Sequence, residues 1–166
     1  MYTRLIVVRV GVWLAIALAG MASLTSAVAQ TNAVVMVVAV VVSERNPVTN
    51  ISTRELRKLF SGEKHAWAGG LPVRLFVRAP DAYERVVLLK LLDMSESEYK
   101  KYWTARVFRG DAQAEPIALF SNGMQKEALA TFPGAVALVN LRDVKPGMKV
   151  IEVDGHMPGD AAYPLN

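Results

Sequence analysis

The stretch Ile51–Arg78, ISTRELRKLFSGEKHAWAGGLPVRLFVR, sets a helix, two glycine turns and a strand in consecutive residues. Ser52 and Glu55 stand at the S-x-x-E spacing of a capping box, in which each side chain satisfies a free backbone N–H of the other. Leu56, Leu59 and Phe60 then fall on one helical face. Gly62 suits the left-handed residue that ends a helix. Gly69-Gly70 marks a turn, and Leu71–Arg78 reads as a strand.

Upstream, Ala33 to Val42 is AVVMVVAVVV. That run is too short for a membrane helix, which needs about 20 apolar residues. Its valines fit a strand buried on both faces, here taken as Val34–Val42. Ser43–Asn50 is a polar loop carrying Asn46-Pro47. Downstream, Pro80 disfavours helix at Ala79, and Asp81 is expected to cap a helix over Ala82–Asp93. That helix is apolar nearly all round, which predicts deep packing. Ser95 and Glu98 form a second S-x-x-E box, opening a helix to about Phe108. Tyr99, Tyr102, Trp103 and Val107 recur on it at helical spacing and are expected in the core; a ligand platform is the alternative. Ile117–Phe120 reads as a short strand, Ser121 as the cap of a helix to Thr131, and Ala135–Asn140 and Met148–Val153 as strands. Alternating strands and helices predict an α/β sandwich with helices on the sheet faces.

Residues 1–29 read as a signal peptide. Arg4 and Arg9 form the positive start, Gly11–Leu18 the apolar core, and Ala27-Val28-Ala29 the cleavage site; an uncleaved anchor is the alternative. The remaining chain, 30–154, is expected to be one domain. The Gly- and Pro-containing stretch 155–166 is expected to form a loosely ordered tail. Taking 29 residues from 166 leaves 137, within the roughly 100–150 typical of a domain. Loss of the leader's two arginines reduces the net charge from +4 to +2. With no Lys/Arg cluster interleaved with aromatics, nucleic acid is not an expected partner. The sequence has no cysteine, so no lipobox or disulfide enters, and export implies a periplasmic or secreted protein with no membrane span after cleavage.

The ordered pattern of strand, Asn46-Pro47, Ile51, Leu56, Phe60, Gly62, Trp67, Gly70, Pro72 and Arg78 resembles the second lobe of the phosphate-binding subunits of ABC importers. These proteins have the type II periplasmic binding-protein fold. Phe132-Pro133-Gly134-Ala135-Val136-Ala137 is similar to a further strand of that lobe. The resemblance spans roughly Val34–Val153. It implies a three-layer α/β sandwich, a single lobe with a mixed, mainly parallel sheet, and solute binding for phosphate import. In that family the matching arginine precedes an S-G-T motif that holds phosphate. Here Arg78-Ala79-Pro80-Asp81-Ala82-Tyr83-Glu84 lacks the motif, and the opposing lobe has no counterpart.

Arg78 with the helix start at Asp81 and Ala82 is therefore the candidate ligand site. Arginine offers a planar fork for an oxyanion, and a helix start offers free N–H groups. Asp81 and Glu84 oppose an anion there, and Arg78 pairing with one of them is the competing reading. Weak binding of phosphate or another small oxyanion is the expected function. The alternative is an interaction module that has lost ligand binding and docks on a periplasmic or inner-membrane protein. No enzyme is expected, since there is neither cysteine nor a G-x-S-x-G elbow. His65 and His156 have no metal-ligand spacing, and no cofactor is implied. The leader predicts that mass spectrometry of the exported protein will find Gln30 at its N-terminus; retention of Met1–Ala29 would contradict it.

Overall fold

A computed structural model describes residues 36–165. The signal-peptide expectation and the start of the first strand lie outside them. The elements follow the order β1 (Val38–Ser43), β2 (Asn50–Ile51), α1 (Thr53–Phe60), β3 (Arg74–Arg78), α2 (Tyr83–Leu92), α3 (Glu96–Phe108), β4 (Ile117–Leu119), α4 (Asn122–Thr131), β5 (Ala135–Asn140), β6 (Met148–Val150) and β7 (Glu152–Val153).

Five strands form one sheet in the order β4-β3-β5-β1-β6. β3 runs parallel to both β4 and β5, while β1 is antiparallel to β5 and β6. Four strands thus point one way and β1 the other, the mixed and mainly parallel sheet expected. β2 and β7 make a separate parallel pair.

The period-two geometry of β1 divides the core. Val38, Val40 and Val42 join one cluster, with residues from α1, α2 and α3; Ala39 and Val41 join a second, with Ala128 and Leu129 of α4. The result is three layers: α1–α3, the sheet, and α4. Both faces of β1 are closed to water, which is why its sequence is apolar without alternation.

Local signals account for the helix boundaries. Ser52 accepts from Glu55 N at 3.2 Å, but only half of the box forms, because Glu55 pairs instead with Lys64 at 2.5 Å. The Ser95–Glu98 box is complete in both directions. Ser121 caps α4 by accepting from Met124 N. The expected cap at Asp81 is corrected: Asp81 lies at φ 71°, and Ala82 occupies the N-cap with no side-chain bond. Asp81 takes the left-handed turn position after Pro80, one residue before the N-cap, and its carboxylate caps none of the first amides.

Other boundaries move for tertiary reasons. Leu71–Val73 do not extend β3 but double back on the preceding segment, with Trp67 N donating to Leu71 O and Val73 N to His65 O. The expected Met148–Val153 strand divides at Ile151, whose N–H donates to Val40 O; beyond it the chain leaves β1 for β2. The stretch expected to be loosely ordered, 155–166, returns to the core over its described residues, 155–165. Tyr163 and Leu165 are buried, and the Tyr163 hydroxyl accepts from Val40 N at 3.2 Å.

α3 is held as a core element. Trp103 is 2% exposed, which favours core over a ligand platform. Tyr102 Oη donates to Ser61 O and Arg106 Nη2 to Gly62 O, satisfying carbonyls at the end of α1. Arg85 of α2 reaches Glu96 of α3 through two 2.9 Å bonds and stacks 3.9 Å over the Tyr99 ring. The hydrogen bond from Arg85 holds the Glu96 carboxyl below its usual range. Its contribution to stability is therefore present above the unfolded carboxyl pKa and lost as pH falls through the folded one. Burial pushes the Tyr99 hydroxyl up to about 12, so the ring stays neutral beneath the guanidinium.

Two glycines are required by contact. Gly62 sits at φ 71°, and a Cβ there would lie 2.4 Å from the Trp103 ring. A Cβ on Gly134 would lie 1.8 Å from Pro72 O, while Gly134 O accepts from Arg74 N and Trp67 Nε1. Gly62→Ala is expected to cost about 2 kcal/mol or more from left-handed strain and overpacking. Trp103→Ala should cost roughly 3–5 kcal/mol. Urea unfolding measures both, and neutral values would contradict the packing described.

Candidate functional site

The parallel strands β3, β4 and β5 end at one edge of the sheet. In α/β folds this edge, outside the carboxyl ends of the strands, is where ligands bind. Arg78 is the last residue of β3, paired in register with Leu119, the last of β4. From these ends the chain enters α2 through Ala79–Ala82 and α4 through Phe120-Ser121. The N-termini of both ten-residue helices therefore open at the same edge, each presenting unbonded amides and the positive end of a helix dipole.

The Arg78 side chain is 15% exposed and that of Glu84, in the first turn of α2, 8% exposed. Arg78 Nε stands 3.8 Å from Glu84 Oε2, an ion pair too long to be a hydrogen bond. Glu84 Oε1 accepts from Asn140 N at the end of β5. One buried carboxylate thus ties α2 to the ends of β3 and β5. Arg78 Nε and Nη1 are buried without a hydrogen-bond partner among the described residues.

Two further side chains in the first turn of α4 share that condition. Gln125 is fully buried; its Nε2 donates to Leu138 O at 2.8 Å, and its Oε1 is unpartnered, as is Asn122 Oδ1. Buried polar atoms normally find partners. Donor atoms on Arg78 and acceptor atoms on Asn122 and Gln125 are thus left without hydrogen-bond partners among the described residues, on elements that meet at one edge of the sheet.

Of the residues singled out in the sequence, Arg78 stands at the predicted strand end and Ala82 at the helix start. Asp81 is exposed on the turn between them. The pairing of Arg78 with Glu84, one of the two readings weighed for it, is present. Asn122, Gln125 and Asn140 were not anticipated. Gln125 alone had a signal: it stands three and four residues before Ala128 and Leu129, a polar residue on the buried face of its helix. Among the described residues no group of three or more His, Cys, Asp or Glu could hold a metal ion.

The fold is that of one lobe of a type II periplasmic binding protein, with an α/β sandwich built on a mixed, mainly parallel sheet. The chain is similar in structure to an ABC-type phosphate transport receptor from Vibrio cholerae, with TM-score 0.60 and 19% identity over 74% of this chain and 48% of the receptor. It is also similar to a putative phosphate ABC transporter substrate-binding protein with bound phosphate from Clostridium perfringens (TM-score 0.58, 14% identity, 72% of this chain and 46% of that one). PstS from Borrelia burgdorferi gives TM-score 0.55 and 17% identity, over 74% and 49%. This chain thus spans about half the length of these proteins. No family model and no curated protein matches the sequence.

The ion pair makes a double-mutant prediction. Removing one partner of a buried pair leaves an uncompensated charge, whereas replacing both with apolar groups does not. Glu84→Met alone is expected to cost about 2 kcal/mol or more, and the Arg78→Met/Glu84→Met double variant less than the sum of the singles. Strict additivity in chemical denaturation would show that the two charges do not interact.

Proposed function

We propose that this chain is an exported solute-binding lobe that holds a small oxyanion, phosphate in the first instance, weakly at the carboxyl edge of its sheet. The observation that carries this reading is Arg78, whose Nε and Nη1 lack hydrogen-bond partners beside two helix N-termini. A guanidinium and free amides suit the geometry of phosphate oxygens. The phosphate receptors of similar fold give the ligand class, and the leader sequence supports a periplasmic or secreted location. Among the described residues no helix is long and apolar enough to cross a membrane.

Weakness follows from charge and solvent. Glu84 already neutralises Arg78, and Asp81 adds a second negative group at the mouth. Asp81 is exposed, so an anion beside it stays partly hydrated and little is gained on transfer from water.

A second reading is a protein-interaction lobe docking on a periplasmic or inner-membrane partner. It is favoured by Phe120, which is 73% exposed at the end of β4, and by partly exposed Leu141 at the end of β5.

Isothermal titration separates the two. Phosphate should bind with Kd of about 1 mM or weaker, more weakly still at high salt. Arg78→Ala should abolish binding, and Asp81→Asn with Glu84→Gln should strengthen it modestly. Micromolar affinity lost in Arg78→Ala would overturn the weak-lobe reading in favour of a full binding protein. Identical behaviour of wild type and Arg78→Ala would leave the interaction reading.

A further inference from the structure

A recess lies between α1, α2 and the end of the chain, and Arg78 is not in its lining. It encloses about 390 Å³, within the roughly 300–1,000 Å³ of small-molecule sites. Val86, Val87, Leu91 and Leu165 give it apolar walls, and Arg57 and Lys90 bring two cations to it. The rest of its lining, Thr53, Tyr83 and Pro164, carries no acid.

One carboxylate beside that lining is already engaged. Asp154 accepts from Thr53 N at 3.0 Å and from Thr53 Oγ1 at 2.5 Å. Glu84, on the same helix as Val86, faces Arg78 and Asn140 instead. Arg57 is fixed by its Nε, which donates to Leu91 O. Its two terminal nitrogens, and Lys90 Nζ, have no partner among the described residues. Val86 is 54% exposed on a helix whose neighbouring Val87 and Leu91 are buried.

We propose that this recess binds a single-chain aliphatic carboxylate, its tail against Val86, Val87, Leu91 and Leu165 and its head between Arg57 and Lys90. The chemistry selects that class on two grounds. Apolar walls reward burial of a methylene chain, and two unpaired cations in a lining without an acid complement one negative head. A zwitterion or a cationic amphiphile would meet uncompensated like charge. The site is independent of the oxyanion reading and stands or falls separately.

Titration of the purified protein with decanoate below its micellar concentration tests it, with decyltrimethylammonium as the control of equal tail and opposite charge. Decanoate is expected to bind one per chain, at least ten-fold more tightly than the cation, and not to be displaced by phosphate. Lys90→Glu should weaken it about ten-fold. Val86→Asp should abolish it. Both substitutions are at exposed positions, and circular dichroism should show both variants folded. Equal affinity for the two amphiphiles, or decanoate binding unchanged in both variants, would overturn the proposal. So would association with anionic vesicles in the absence of any binding of monomeric decanoate.

Discussion

Val38 to Val42 of β1 are wholly removed from water, so their backbone groups must find partners within the protein. β5 supplies one side from Val38 to Val42. β6 supplies the other only from Val41 to Ser43. Val40 lies where that ladder stops. Its carbonyl accepts from Ile151 N, and its N–H donates to the Tyr163 hydroxyl. A buried N–H left unpaired costs about 1–3 kcal/mol. The end of the chain therefore completes the sheet, and the departure of β7 toward β2 is possible because Ile151 and Tyr163 complete the ladder.

The antiparallel direction of β1 also places the site. β3, β4 and β5 end on one edge, and two of the three lead directly into helix starts there. Positive dipole ends and Arg78 are thereby brought together without any dedicated loop. The same crowding supplies Glu84, which sits one turn into α2 and reaches both Arg78 and Asn140. One arrangement thus assembles the proposed anion site and partly cancels it. This sets the expected affinity more than the identity of any single residue.

Much of this was legible in the sequence because it is local chemistry. Ser52, Ser95 and Ser121 cap the helices they were expected to cap, and Gly62 ends α1 with a positive φ. The uninterrupted valines of β1 announce burial on both faces. What was not legible depends on contacts distant in the chain. Asp81 has the composition of a cap, yet the turn after Pro80 gives the position to Ala82. The tail's glycines and prolines suggest looseness, and nothing local shows that Tyr163 will meet Val40, 123 residues away. Gln125 and Asn122 enter the site only once α4 is laid over β3 and β5. For Arg78 the sequence offered two roles, and distance decided that the Glu84 pair is present.

The functional proposal places phosphate at the carboxyl edge of the sheet, beside Arg78. Nuclear magnetic resonance of the nitrogen-15-labelled protein tests it directly, because the buried Arg78 Nε–H and the Gln125 side-chain amide report on that edge. On phosphate addition, these two signals and the backbone amides of Tyr83, Glu84 and Gly123 should shift together along one saturation curve. Shifts confined to other parts of the surface, or none at all up to saturating phosphate, would contradict the account.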